Sequence, residues 1–178
     1  MKRFALGPAY VLIIGLLAFP SVTPAQDDPS GGRAKTVHQA LLANWNDAGR
    51  KLLAMAEDWP ESKYGYRLTP ATRTFQEVLL HVAGSNYDLL NRVTGKKLGD
   101  DANDPKLEAY KTKTQTIAFL KKSIEDGAAE IAKEGDSGIV PHLSPWIGYT
   151  EHMGEHYGLL VAYYRATGQV PPESRPQR

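Results

Sequence analysis

The sequence predicts an all-helical protein, a four-helix bundle over residues 35–175. Three observations predict it. Apolar residues recur every three or four positions in four separate segments, each of bundle length. Cap, proline and glycine signals fall between those segments. No segment alternates at the period of two that a half-buried strand requires. With 178 residues, 42% hydrophobic and 23% charged, the chain has material for one ordinary globular domain and not for two.

The first helix is expected from about Lys35, with Val37, Leu41, Trp45, Ala48, Leu52 and Met55 on one side and a stop at Trp59-Pro60. Residues 60–73 hold Pro60, Gly65 and Pro70 and read as a connection. Thr74-Phe75-Gln76-Glu77 has the form of a capping box, in which hydroxyl and carboxylate each accept from the other residue's amide. The second helix follows, with Phe75, Val78, Val82, Leu89 and Val93 on its apolar side and Gly95 just past its end. Asp104-Pro105 reads as an N-cap with proline in the first turn of a third helix, which carries Leu107, Tyr110, Ile117, Ile124 and Ile131 and frays near Gly135–Gly138. Ser144-Pro145 repeats that signal for a fourth helix, running through Trp146, Tyr149, His152, His156, Leu160 and Tyr163 to Gly168.

Residues 1–25 read as a signal peptide rather than as part of the fold. Lys2 and Arg3 precede the short apolar run Tyr10–Phe19, and Thr23-Pro24-Ala25 offers small residues for cleavage. The run is about half the roughly 20 residues a spanning helix needs, so an uncleaved anchor is the lesser alternative and no stable membrane span is expected after cleavage. The expected location is periplasmic or secreted. Residues 26–34 are polar and glycine-rich, a flexible leader. Without Lys2 and Arg3 the chain has 19 basic against 20 acidic side chains, which gives no support to a nucleic-acid partner. There is no cysteine, so disulfides and thiolate chemistry are excluded, and a metal must be held by nitrogen and oxygen.

Five histidines carry the chemistry: His38, His81, His142, His152 and His156. His152 and His156 lie one helical turn apart, so both imidazoles reach one point. Their stripe also holds Trp146, Tyr149, Leu160 and Tyr163, and inward imidazoles are costly unless their nitrogens are satisfied. His81, among Val78, Leu80, Val82 and Ala83, is the natural third ligand of one divalent metal. Three imidazoles leave a coordination position for water or substrate, and an ion there lowers the pKa of its water toward neutrality. The plainer alternative for each histidine is a core residue bonded to a carbonyl or hydroxyl. His152-Met153-Gly154-Glu155-His156 also fits H-x-x-E-H, a metallopeptidase motif, but that motif needs a further ligand downstream. Only Glu173, in a proline-rich tail, follows as a carboxylate side chain. His38 and His142 read as surface or structural residues. Asp88 is a candidate orienting group, and Trp45, Trp146, Tyr87 and Tyr149 are pocket candidates that read first as core.

Two segments resemble the DinB/YfiT-like family of metal-dependent bundles: Thr74–Ser85 around His81, and His152–Ser174 with its H-x3-H pair and the ending Gly168-Gln169-Val170-Pro171-Pro172. The resemblance implies a four-helix bundle running up-down-down-up, with a long crossover between helices two and three, expected from Gly95 to Asp104. It implies one ion (zinc, nickel or iron) on His81, His152 and His156, and it allows a homodimer. The expected activity is that of a hydrolase or transferase on a small molecule, with catalytic residues unassigned. A non-catalytic exported bundle that binds a metal or ligand is the alternative.

Overall fold

The structure is a computed structural model that describes residue 34 and residues 36–176, and among them it contains helices and no strand. Four α-helices are present: α1 (Val37–Asp58), α2 (Phe75–Thr94), α3 (Lys113–Ile139) and α4 (Leu143–Ala166). The predicted signal peptide and nearly all of the leader lie outside the described residues. No described helix is long and apolar enough to cross a membrane.

Local chemistry accounts for most of the boundaries. Thr36 caps α1, and Pro60 forces Trp59 into an extended conformation that ends it. The capping box on α2 forms as the sequence predicts, with Glu77 N donating to Thr74 Oγ1 at 3.1 Å and Thr74 N donating to the Glu77 carboxylate at 2.6 Å. Gly95 closes α2 at φ 68, a left-handed conformation suited to glycine.

Two expected starts are corrected. Asp104-Pro105 does not begin a helix, because Arg73 Nε takes the Asp104 carboxylate at 2.7 Å and Pro105 is buried against Gly84. The third helix begins instead at Lys113, under a second capping box formed by Thr112 and Gln115. The crossover therefore runs from Gly95 to Thr112, longer than the stretch expected to end at Asp104. Nor do Ser144-Pro145 start the fourth helix. Helical structure passes from α3 through a 3-10 turn at Val140–His142 directly into α4, leaving both residues within its first turn, where a missing proline N–H costs no intrahelical bond. The expected fraying at Gly135–Gly138 is instead a kink at Gly135, with φ 62 and ψ −172. The four α-helices thus occupy three helical stretches.

Side-chain pairs fix the relative directions. Trp45 Nε1 donates to the Ile124 carbonyl at 2.9 Å, and Lys113 Nζ reaches the carbonyls of Glu57 and Trp59, so α1 and α3 are antiparallel. Tyr164 Oη reaches the Met55 carbonyl at 3.0 Å while Trp146 packs edge-on to Trp45 at 5.4 Å, which makes α1 and α4 parallel. Gln76 bonds Thr116 and Asn86 bonds Ser123, so α2 runs parallel to α3. His81 meets His152 and Asp88 meets Tyr149, so α2 runs antiparallel to α4. Each of α1 and α2 packs mainly on α3 and α4. Beyond α4, Glu173 takes Arg50 at 2.7 Å and Arg175 takes Asp58, which pins the tail to α1.

The core is aromatic: Trp45, Trp59, Phe75, Trp146, Tyr163 and Tyr164 are buried, with Trp59 stacked on Phe75 at 4.5 Å. Asn86 is a polar intruder. Its Nδ2 donates to Ser123 Oγ at 3.1 Å, but its buried Oδ1 has no protein partner. Ser123 Oγ keeps its own bond to the Leu120 carbonyl without Asn86. Asn86→Leu is therefore expected to change the unfolding free energy by no more than about 1 kcal/mol, in either direction, since an unpaired polar atom leaves with the amide. Urea unfolding checks this, and a loss as large as a core truncation would mean that Oδ1 has a partner.

Candidate metal centre

α2 and α4 together place the three predicted histidines on one point. His81 Nε2 lies 3.0 Å from His152 Nε2, and His156 Nε2 lies 3.0 Å from the same atom. Among the described residues these three form the one group of at least three histidine or carboxylate side chains with metal-ligand spacing, all within 4.8 Å of one another. His81 is buried, and the α4 pair is half-buried, one turn apart on the side facing α2.

Proton bookkeeping tests whether the residues fit an ion. His81 Nδ1 is 2.6 Å from the Asn103 carbonyl, which only accepts, so His81 carries its proton there and turns a lone pair inward at Nε2. His152 Nε2 then faces two nitrogens, and a neutral imidazole N–H donates to one of them. Protons alone therefore satisfy at most one of the two 3.0 Å contacts with a linear bond; the other is left lone pair against lone pair, N–H against N–H, or beside an N–H already directed elsewhere. A cation at the shared point matches all three lone pairs at once. Tetrahedral zinc at about 2.0–2.1 Å separates its nitrogens by about 3.3 Å, a few tenths of an ångström wider than the two contacts to His152 and within the 4.8 Å that spans the whole group. Small side-chain adjustments suffice, and the residues fit.

Electrostatics keep the pair ready to bind. Burial, followed by the charge of His81 and then of Arg73, lowers His152 to about 4. Burial, followed by the charges of His152, His81 and Arg73, lowers His156 to about 3. Both are neutral near pH 7, as metal ligands must be. Their Nδ1 atoms are buried and have no protein partner, unlike His81 Nδ1.

These shifts give a signed expectation for the metal-free protein. Below the ordinary value of 6.5 the unfolded chain binds protons that the folded chain refuses until about pH 4 and 3. Stability present in full above pH 6.5 is thus lost progressively as the pH falls. Urea unfolding at pH 7 and pH 5 is expected to show the loss, with a shallower pH slope in a His152→Ala/His156→Ala protein. Equal slopes would mean that the pair is solvated.

Beside the histidines lies a cavity of about 480 Å³, lined by His81 and His152 together with Ser85, Asp88, Asn103 and Tyr149. Asp88 orients no histidine: its carboxylate takes Tyr149 Oη and the Arg92 guanidinium. Of the four aromatic pocket candidates, Tyr149 lines this cavity, while Trp45, Trp146 and Tyr87 are core residues. Glu155 is exposed, on the solvent side of α4. His38 binds Asp136 at 2.8 Å, and His142 is exposed in the 3-10 turn, so neither joins the triad. The backbone carbonyl of Asn103 is the functional group that sequence reasoning missed, because a carbonyl belongs to every residue type.

No family model and no curated protein matches the chain.

Proposed function

We propose that the protein is an exported, DinB-like four-helix bundle that holds one divalent ion with His81, His152 and His156 and acts on a small molecule as a metal-dependent hydrolase or transferase. The observation that carries this reading is the convergence of three Nε2 atoms whose lone pairs protons cannot all satisfy. The helix directions support an up-down-down-up bundle, with α1 and α4 one way and α2 and α3 the other. The sequence likeness around His81 and around His152–Ser174 supports the family, and the apolar run after Lys2 and Arg3 supports export. Zinc, nickel and iron all suit three imidazoles. When bound, the ion supplies Lewis acidity at its remaining positions.

This chain's own residues shape what meets the ion. His81 and His152 form one wall of the 480 Å³ cavity, and Ser85, the Asp88–Tyr149 pair and Asn103 form others, giving a small polar molecule several hydrogen-bonding groups. Reduced thiols of the cytosol are unsuitable cosubstrates outside it, so the substrate is sought among other small molecules. One observation favours a second reading, a non-catalytic metal-binding bundle: both carboxylates that line the cavity are occupied rather than free as a base, Asp88 by Arg92 and Tyr149 and Asp101 by Lys97 and Asn91. A screen of ester, amide and group-transfer substrates with the metal-loaded protein decides between them. Turnover abolished in a His156→Ala protein supports the enzyme; turnover at the wild-type level in that variant removes the triad from catalysis.

A further inference from the structure

The crossover between α2 and α3 lies along a single stripe of α2, and it is glycine that lets it. Asn91, Tyr87, Gly84 and His81 follow one another at spacings of four, three and three, so they share one helix face. Each meets the crossover in turn. Asn91 Oδ1 accepts from Leu98 N at 2.7 Å, and the Tyr87 ring lies where a Cβ on Gly99 would stand, 2.6 Å away. A Cβ on Gly84 would stand 2.2 Å from the Ala102 carbonyl oxygen and 3.2 Å from Pro105 Cγ. The next contact along the chain is the Asn103 carbonyl on His81 Nδ1 at 2.6 Å.

Glycine is the poorest helix former after proline, and Gly84 sits in the middle of α2, where only a close approach justifies it. The approach here is by backbone, which cannot swing aside as a side chain can. Ala102 and Asn103 are consecutive, so a displaced Ala102 carbonyl displaces the Asn103 carbonyl with it.

We propose that Gly84 is a positioning residue of the histidine triad: by admitting the crossover backbone against α2, it brings the Asn103 carbonyl onto His81 and thereby fixes the tautomer and aim of the Nε2 that faces the ion. His81 is the one ligand of the three with a protein group on its outer nitrogen, so it is the ligand on which the geometry of the site rests. The Arg73–Asp104 ion pair and the buried Pro105 hold the crossover down on the far side of the same contact. The inference rests on the proposed metal site for its consequence, but not for its geometry.

The test therefore has one arm without metal. In the metal-free wild-type protein with ¹⁵N-labelled histidine, the His81 ring is expected to be protonated at Nδ1 with slow proton exchange. A ring protonated at Nε2, or an Nδ1 proton that exchanges at the solvent rate, overturns the proposal. In the second arm, zinc affinity is measured against a competing chelator. Gly84→Ala is expected to lose the protected Nδ1 proton and to bind zinc 10–100-fold more weakly, the usual effect of losing a ligand's outer partner. Gly49→Ala is the control, since it crowds Ile124 at the α1–α3 contact, away from the crossover, and is expected to keep both properties. An equal loss in the control, or no loss in a folded Gly84→Ala protein, overturns the proposal. Asp104→Ala/Pro105→Gly loosens the crossover without adding an atom to the core, and it serves if Gly84→Ala does not fold. It is expected to speed His81 proton exchange and to weaken zinc about tenfold, and unchanged values contradict the proposal. A wild-type protein that binds no zinc but keeps the protected proton overturns the metal reading alone, and leaves Gly84 as the residue that orients His81.

Discussion

Trp45→Ala is expected to lower the unfolding free energy by about 3–5 kcal/mol, the range for truncating a buried aromatic to alanine. The indole is fully buried and sits edge-on to Trp146 at 5.4 Å, at the centre of the α1–α3–α4 packing. Its Nε1 donates to the Ile124 carbonyl at 2.9 Å, so truncation leaves a buried acceptor with one partner fewer as well as a cavity. The surroundings cannot close over that cavity easily. Gly127 already presents bare backbone to the indole, and a Cβ there would stand 2.3 Å from Trp45 Cζ2. A domain of this size has about 5–15 kcal/mol in total, so the loss takes at least about a fifth of it. Denaturant unfolding followed by far-ultraviolet circular dichroism reads the loss; a cost under about 1 kcal/mol would mean that the α1–α3 contact does not pack around this ring.

Chelation is expected to produce the second large effect. A ligand that binds the folded chain alone stabilises it by about 4 kcal/mol when present at a thousand times its dissociation constant. For a domain of about 150 residues, that corresponds to a shift in Tm on the order of ten degrees. Removing metal from the wild type with a strong chelator is thus expected to lower Tm by about that much, and restoring it to reverse the change. A His152→Ala/His156→Ala protein is expected to show neither shift. An equal response in both would place the metal effect elsewhere on the chain.

The three histidines were legible because their signal is local: a one-turn spacing for His152 and His156, and apolar neighbours for His81. That α2 and α4 would be neighbours was not contained in either segment. It depends on the crossover, and the crossover was where the reading failed. Asp104-Pro105 has the composition of a helix start, but the aspartate is taken by Arg73, a residue 31 positions earlier, which no local pattern records. The true start carries its own signal in Thr112-Lys113-Thr114-Gln115, which has the spacing of a capping box. At the other end of α3, Gly135 reads as a helix breaker. In the fold it absorbs a positive φ while hydrogen-bonded turns continue past it into α4. Periodicity found which segments are helical; Arg73 took Asp104 from the expected start of α3, the Thr112–Gln115 capping box supplied the true one, and the 3-10 turn after α3 set where α4 begins.

The measurement that tests the central claim most directly is elemental analysis of the protein purified from its native compartment without an affinity tag, beside the His152→Ala/His156→Ala variant. The account predicts close to one equivalent of a transition metal per chain in the wild type and its loss in the variant. No metal in either protein, even after exposure to zinc, nickel or iron, would contradict it.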